Sequence, residues 1–307
     1  MPKTHASAST TVDLVICTRD RCQDLSATLE NLQRPEVTEG LDVVLTVVDN
    51  GSTDDTRRVV EDGPWSRLRP RYLYHGSGGL ASARNAGIAD TDCSRVVFID
   101  DDVWPRPGWL AAMMEPLVED RFDAVVGTVC PAAHLRRRWM GRAVASALAL
   151  NEHERATDAT PQLIGANMAF NRAVLERVPG FDPTLDPGGL GYGGDTLFSL
   201  QLADAGLRIG RAPDAVVDHH FHEDRLTRRS ILASTSGFAR SRRYINRRYG
   251  LWEDRDGMGR AAGVFLKLGV FYLTRPWVFW QREGCSNREF KLRNHWAYYL
   301  SRFRNPG

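Results

Sequence analysis

The sequence predicts an α/β fold with a doubly wound, mainly parallel sheet and helices on both faces. Three observations support this class. Over residues 11–100, short apolar runs alternate with segments of helical spacing. The apolar runs are continuous, which indicates strands buried on both faces. Polar clusters follow the ends of several runs, where open parallel sheets bind ligands.

The first half of the predicted sheet is read from the runs themselves. Four apolar or β-branched runs are predicted to be strands: Leu14–Cys17, Leu41–Val48, Arg71–Tyr74 and Val96–Ile99. Three segments between them have helical spacing: Leu25–Leu32, Thr53–Glu61 and Leu80–Ala89. This strand–helix alternation is typical of a parallel sheet.

After Trp104 the alternation is less regular. Helices are predicted at Pro107–Val118, Leu135–Leu150 and Thr196–Ala205, and strands at Ala124–Val129, Gln162–Phe170 and Ala215–His219. Beyond Arg225 the pattern is helical, basic and rich in Trp and Tyr. We therefore expect a domain over 1–224 and a basic, aromatic helical extension over 225–307.

The charge supports the same division. The chain has 307 residues with 40 basic and 38 acidic side chains, so its formal net charge is +2. This total gives no indication of nucleic acid, and we expect no such partner. Residues 225–307, however, carry 18 Arg or Lys against 5 Asp or Glu, whereas residues 1–224 are acidic. The basic extension therefore calls for an explanation of its own.

The cysteine pattern and the hydropathy of the sequence indicate the cellular compartment of the protein. The five cysteines are widely spread and form no CxxC pair, which disfavours a disulfide framework or a structural zinc site. Neither a signal peptide nor a run of about 18 apolar residues is found. We expect a cytoplasmic protein, peripheral to the inner face of the membrane if the extension contacts lipid.

Three consecutive carboxylates follow the fourth predicted strand. Successive residues at a strand end point to opposite sides, so Asp100 and Asp102 share a side. Two adjacent carboxylates repel unless a cation lies between them, and Mn²⁺ or Mg²⁺ suits such oxygen ligands. A metal there would bridge the protein to a diphosphate. The alternative is an N-cap cluster for the following helix.

Six stretches in this order resemble glycosyltransferase family 2, which has the GT-A fold. They are VICTRDR (15–21), VVDNGSTDDT (47–56), GLASARNAGI (79–88), FIDDDVWP (98–105), GANMAF (165–170) and GGDTLFSLQLADAGLRI (193–209). The resemblance implies that residues 1–224 form a GT-A domain that binds a nucleotide sugar and carries out the catalysis.

The resemblance also implies where the sugar donor binds. Thr18 and Asp49 would contact the nucleobase, and Asp49 can accept from the imide N–H of uracil or thymine, which favours a UDP- or dTDP-sugar. Arg84 would approach the nucleotide or its phosphates, Asp100 the ribose or sugar, and Asp102 would ligate the metal. The alternatives are a helix cap at Thr18, an Asx turn at Asp49 and a surface ion pair at Arg84.

The base and the remaining metal ligand follow from the later motifs. Asp195 matches the family's general base, with an N-cap as its alternative role. Gly194 stands where the family usually has Glu. Residues 215–219 match the A-x-V-x-H pattern that places a His near the metal in the family, so the resemblance implies that His219 is a metal ligand, with His220 and His222 as alternatives.

The acceptor is less well defined. The resemblance places Trp104 and Asn167 on the acceptor side and implies transfer with inversion. The Q-x-x-R-W motif of processive synthases is absent, so we expect transfer of one sugar or a few. The acceptor could be a saccharide, a lipid-linked sugar, a peptide or a small molecule. The extension could contact an anionic membrane, hold the acceptor, join subunits of a homo-oligomer, or simply pack as a solvated helical appendage.

Three other interpretations stay open. Residues 76–81 fit G-x-G-x-x-A, a dinucleotide-binding pattern, but follow the third strand instead of the first. A metal-dependent nucleotidyltransferase would usually show a glycine-rich loop after the first strand, and TRDRCQD has no glycine. A non-catalytic, membrane-associated protein that binds nucleotide sugars is compatible with Gly194.

Overall fold

A computed structural model of the chain describes residues 11–154, 161–186, 190–250 and 257–304. Its centre is an eight-stranded sheet. The strands are β1 Thr11–Thr18, β2 Asp42–Asp49, β3 Pro70–Tyr74, β4 Arg95–Asp100, β5 Val103–Pro105, β6 Ala124–Pro131, β7 Asn167–Asn171 and β8 Ile209–His219. Their spatial order is β3-β2-β1-β4-β7-β6-β8-β5.

Helices connect the strands and form the C-terminal part. They are α1 Cys22–Leu32, α2 Pro35–Thr38, α3 Thr56–Asp62, α4 Leu80–Ala89, α5 Trp109–Val118, α6 Arg142–Ala147, α7 Gly194–Asp204, α8 Arg228–Tyr249, α9 Gly257–Thr274 and α10 Asn287–Arg304. The helical C-terminal extension expected from the sequence is therefore confirmed.

The sheet is parallel through β1, β2, β3 and β4, and β6 pairs with β8 in the same sense. β7 lies antiparallel between β4 and β6, and β5 pairs antiparallel with β8. The predicted mainly parallel sheet is confirmed. In the sheet, β7 and β6 lie between the parallel strands β1–β4 and β8, the strand that carries His219.

Each face of the sheet packs against its own hydrophobic cluster. Leu14 and Ile16 of β1 belong to one cluster together with Leu25 of α1. Val15 of β1 belongs to the other, together with Ala83 of α4. Successive residues of a strand point to opposite faces, so a continuous apolar run is buried on both sides. The structure thus has helices packed on both faces of the sheet, as the sequence predicted.

The C-terminal helices share the core of the sheet domain. Leu226, Ile231, Cys285 and Phe290 belong to the same hydrophobic cluster as Leu14 of β1. Packing is thus continuous across residues 224 and 225, and a domain boundary at that position stays a prediction.

Three predicted elements differ most from the structure, and one of them is β8, which begins at Ile209 and not at the predicted Ala215. The helix expected over 135–150 is reduced to a 3₁₀ turn at Ala133–Leu135 and the short α6, because Gly141 has an extended backbone (φ −91°, ψ 169°) immediately before α6. The strand expected from Gln162 begins only at Asn167, after a turn at 165–166. β5 had not been predicted.

Candidate active site

The strand ends that carry polar side chains meet at one edge of the sheet. Thr18 pairs in register with Asp49, and Asp100 pairs with Cys17 of the same β1. On the far side of β7, the pairing of β5 with β8 places Val103 opposite His219. The backbone N–H of His220 also donates to the Asp102 carbonyl (2.7 Å). β5 therefore brings the end of β8 back to the aspartate triplet.

Asp100, Asp102 and His219 form a cluster suited to a divalent cation. One potential ligand atom from each lies within 4.8 Å of the others. His219 Nε2 lies 3.2 Å from Asp102 Oδ1, and that buried oxygen makes no hydrogen bond within the described residues. Two carboxylates and an imidazole suit Mn²⁺, and the carboxylates also suit Mg²⁺. The residues present therefore fit the metal that the sequence predicted.

Arg21, which the sequence analysis did not single out, joins the aspartates. Its guanidinium donates to Asp101 Oδ1 and to Asp102 Oδ2, both at 2.7 Å. Burial alone would raise the pKa of Asp102, but His219 and Arg21 outweigh it and hold that pKa well below its ordinary value. Asp102 is therefore a carboxylate at neutral pH, as a metal ligand must be.

Thr18 and Asp101 contact each other beneath the cluster. The Thr18 hydroxyl donates to Asp101 Oδ2 at 2.6 Å, and both side chains are buried. Burial raises the pKa of Asp101 to about 7 even though Arg21 opposes the shift. In this conformation the Thr18 hydroxyl therefore supports the aspartate turn, and its contact with a nucleobase stays a prediction.

Asp49 is also buried and hydrogen-bonded. Its Oδ1 accepts from the Ser52 N–H (2.8 Å), one residue further along the chain than in the Asx turn considered above, and its Oδ2 accepts from the Tyr72 hydroxyl (2.6 Å). Each Asp49 oxygen thus accepts one hydrogen bond from the protein and keeps a second lone pair. Recognition of a pyrimidine base by Asp49 stays a prediction.

Arg84, Asp100 and Asp195 line one cavity of about 350 Å³. Arg84 Nη2 lies 3.4 Å from Asp100 Oδ1, and its guanidinium lies over the rings of Phe98 and Phe181. The guanidinium is thus held at the cavity wall by a carboxylate and two aromatic faces. The structure brings these three predicted residues together.

Asp195 opens α7 and faces this cavity. Its Oδ1 accepts from the Thr196 N–H (2.8 Å), and its Oδ2 accepts from the Gly165 N–H (3.2 Å). The side chain is thus fixed by two backbone donors at the start of the helix. At the preceding Gly194, a Cβ atom would meet none of the described atoms within 4 Å, so the backbone there leaves space for a side chain to start.

The two acceptor-side predictions have different surroundings. Trp104 is half-exposed and stacks on His220, with ring centroids 3.7 Å apart. Asn167 is fully buried, donates to the carbonyls of Thr128 and Ala215, and accepts from Trp109 Nε1 (2.9 Å). Its side chain holds the sheet together and is not brought to the cavity.

Asp186 is a second residue that sequence reasoning missed. Its carboxylate accepts from the backbone N–H groups of Gly79, Ala81 and Ser82 at the start of α4. A dinucleotide-binding glycine loop would offer these donors to a pyrophosphate. A carboxylate from a remote loop occupies them here, which argues against the dinucleotide interpretation of residues 76–81.

A second cavity, of about 590 Å³, continues from the first toward the C-terminal helices. Gly193, Thr196 and Phe238 line both cavities. Beyond them the wall carries Lys291 and His295 of α10. Residues of the extension therefore form part of the wall of the space beside Asp195.

The family model for glycosyl transferase family 2 matches residues 13–178. The pre-mycofactocin glycosyltransferase of Mycobacterium tuberculosis is 29% identical over 219 residues, which cover 68% of this chain and 42% of that protein. The validoxylamine A glucosyltransferase of Streptomyces hygroscopicus is 34% identical over 105 residues, 34% of this chain and 24% of that protein. The chain spans less than half the length of these curated relatives.

Solved structures agree on the fold. A mannosyltransferase of Pyrobaculum calidifontis in complex with GDP-Man and Mn²⁺ matches with a TM-score of 0.61 at 18% identity, covering 96% of this chain and 87% of that chain. Glucosyl-3-phosphoglycerate synthase of Mycobacterium tuberculosis, in complex with Mn²⁺, UDP-Glc and phosphoglyceric acid, matches with a TM-score of 0.53 at 20% identity, covering 80% and 82%.

The sheet order, the carboxylate cluster at its edge and these structural matches define the GT-A fold. The family model covers more than half of the chain. The chain therefore belongs to glycosyl transferase family 2, as the six sequence stretches predicted.

Proposed function

We propose that this protein transfers a sugar from a nucleotide-diphosphate sugar, of the UDP or dTDP type, to an acceptor hydroxyl with inversion and with help from Mn²⁺ or Mg²⁺. One observation carries the proposal: Asp195 shares a cavity with Arg84 and with Asp100 of the metal cluster. A candidate base, a cationic wall and a metal site thus border the same space.

The donor would lie between Arg84 and the aspartate triplet. Arg84 would face the phosphates, with its guanidinium oriented by Phe98 and Phe181. Asp100 is the most exposed member of the metal cluster, and we assign it to the ribose or the sugar as well. Thr18 and Asp49 remain the proposed nucleobase residues, with the imide N–H donating to a second lone pair of Asp49.

Asp100, Asp102 and His219 would hold the metal. A divalent cation bound there supplies positive charge that offsets the negative charge on the departing diphosphate. Arg21 keeps Asp102 ionised and in place through its 2.7 Å hydrogen bond. The chain thus supplies the ligands and their orientation.

Asp195 would act as the base. Its carboxylate removes the proton of the acceptor hydroxyl while the hydroxyl oxygen bonds to the anomeric carbon. The bond from that carbon to the diphosphate oxygen breaks on the opposite face, so the configuration inverts. The two backbone donors on Asp195 fix its position, and this positioning supplies part of the rate.

The acceptor would enter through the second cavity, near Lys291 and His295, with Trp104 on the acceptor side. A saccharide, a lipid-linked sugar, a peptide and a small molecule all offer a suitable hydroxyl.

We place the enzyme in the cytoplasm, at the inner face of the membrane. The GDP-Man complex of the Pyrobaculum mannosyltransferase makes GDP-sugars the comparison arm of the test.

The test is thermal unfolding of the protein with Mn²⁺ and a panel of UDP-, dTDP- and GDP-sugars. At about 100 times its dissociation constant, the true donor should add about 2.7 kcal/mol of stability. Arg84→Met should abolish this stabilisation, whereas Arg58→Met, an exposed arginine of α3, should preserve it. A panel in which no nucleotide sugar raises the midpoint would overturn the proposal, and a response to GDP-sugars alone would overturn the donor type.

A further inference from the structure

The C-terminal extension carries a large exposed apolar face. Seven bulky side chains of α9 and the following 3₁₀ turn are between 47% and 83% exposed: Phe265, Leu266, Val270, Leu273, Trp277, Phe279 and Trp280. Leu266, Val270 and Leu273 repeat at helical spacing of four and three residues. We call these seven side chains the apolar face of α9. A concentration of exposed apolar side chains of this size marks an interaction site.

The opposite side of α9 is packed, so the apolar face is fixed outward. Leu268 and Phe271 are buried, and α9 lies against α10. Tyr272 donates from its hydroxyl to Glu289 Oε1 (2.8 Å) and accepts from Arg293 Nε (2.7 Å). Rotating the helix to bury its exposed side chains would break this network. The exposure is therefore built into the fold.

The segment that carries the apolar face is basic. Residues 257–282 contain Arg260, Lys267, Arg275 and Arg282 and no Asp or Glu. Phe265 contacts Trp296 of α10, with ring centroids 5.2 Å apart. Trp296 also lines a groove of about 600 Å³ that carries five arginines and no acidic side chain among its described lining residues.

This charge decides between two kinds of occupant. In a two-fold dimer the same surface meets itself, so the four cations of residues 257–282 would be brought toward four identical cations, and this segment offers no carboxylate to pair with them. An anionic lipid surface meets both features at once, because the apolar side chains enter the acyl boundary while Arg and Lys contact headgroups. Tryptophan in particular concentrates at that boundary.

We propose that the apolar face of α9 docks the protein on an anionic lipid bilayer. The helix would lie in the plane of the surface, with Leu273, Trp277 and Trp280 inserted and Lys267 and Arg275 at the headgroups. Within the described part of the chain no helix is long and apolar enough to cross a membrane, so the proposed contact is interfacial. The inference does not depend on the sugar donor or on turnover.

Co-sedimentation of the full-length protein with vesicles tests the proposal. We expect binding to phosphatidylcholine vesicles that contain phosphatidylglycerol, and much weaker binding to pure phosphatidylcholine. Raising the salt to about 1 M should weaken binding, because the screening length falls to about 3 Å. Leu273→Ser combined with Trp280→Ser should lower the partition coefficient at least about tenfold.

The matched control is Val118→Ser at the end of α5, an exposed aliphatic side chain outside this face. It should bind vesicles as the wild type does. Brominated lipids should also quench the tryptophan fluorescence of the wild type, which requires no variant to fold. Absence of binding to anionic vesicles, or equal binding by both variants, would overturn the proposal. So would a dimer in solution that the Leu273→Ser change dissociates.

Discussion

Asp195 combines two functions in one carboxylate. It accepts two backbone hydrogen bonds and faces the cavity that Asp100 lines. Asp195→Asn keeps one side-chain oxygen that can accept a backbone hydrogen bond but removes the basicity. We expect a fall in kcat of about 10²–10⁴-fold, with a lower thermal midpoint because the amide NH2 faces one of the two backbone donors. Asp204→Asn, on the exposed side of the same helix, is the control for steady-state kinetics. Wild-type turnover of Asp195→Asn would contradict the base assignment.

Asp102 is the centre of the metal prediction. Its carboxylate contacts both His219 and Arg21. Asp102→Ala should weaken Mn²⁺ binding by at least about tenfold. Mn²⁺ titration followed by electron paramagnetic resonance measures this without substrate. Asp92→Ala, an exposed carboxylate, should bind as the wild type, and equal affinities for both variants would refute the site.

The sequence could identify the cluster but not its support. Asp100 and Asp102 are separated by one residue and follow an apolar run, so their shared side can be read directly. Arg21 lies 81 residues from Asp102, and only the pairing of β1 with β4 brings the two together. Asp186 likewise reaches Gly79 across 107 residues. Spacing rules describe neighbours in one element, and such contacts depend on how elements assemble.

At the scale of elements, the buried strands were the most predictable feature. The apolar runs within β1, β2 and β4 fit only a strand that is buried on both faces, so the sequence located these strands to within a few residues. The region after Leu135 was less predictable, because its apolar spacing fits a helix while Gly141 ends any continuous one. β5 has only three residues, and its strand character comes from pairing with β8.

The cap of α4 gives a prediction at this scale. Asp186 accepts from three backbone N–H groups of the α4 N-terminus, so Asp186→Ala leaves buried donors without a partner. We expect a loss of about 1–2 kcal/mol in urea unfolding. Asp55 stands at the start of α3 without a side-chain cap hydrogen bond, and Asp55→Ala should stay within about 0.5 kcal/mol. Similar costs for the two variants would show that Asp186 does not cap α4.

At the scale of the whole molecule, the charge division separates two surfaces of one packed body. The acidic part contains the metal cluster and Asp195, and the basic part contains the apolar face of α9. Sequence composition located both parts, but it could not show that Leu226 and Phe290 enter the core of the sheet domain. That contact depends on the path of the chain between α8 and α10.

The Arg228–Glu289 pair holds this path together. Arg228 of α8 donates through both terminal nitrogens to Glu289 of α10, and Glu289 is fully buried. Tyr272 of α9 donates to the same carboxylate (2.8 Å). The Arg228 N–H also donates to the Arg282 carbonyl (2.9 Å). One buried carboxylate thus links α8, α9 and α10, the three helices of the extension.

Removing one partner should therefore loosen the whole extension. Glu289→Ala leaves Arg228 buried without its carboxylate, and we expect a loss of about 3–5 kcal/mol in urea unfolding. Replacing both residues, as Arg228→Met with Glu289→Leu, should recover most of that loss because no unpaired charge remains. Glu61→Ala, which breaks the exposed pair with Arg57, should cost less than about 1 kcal/mol. If Glu289→Ala costs no more than Glu61→Ala, the extension is held by apolar packing alone and the buried pair is not its anchor.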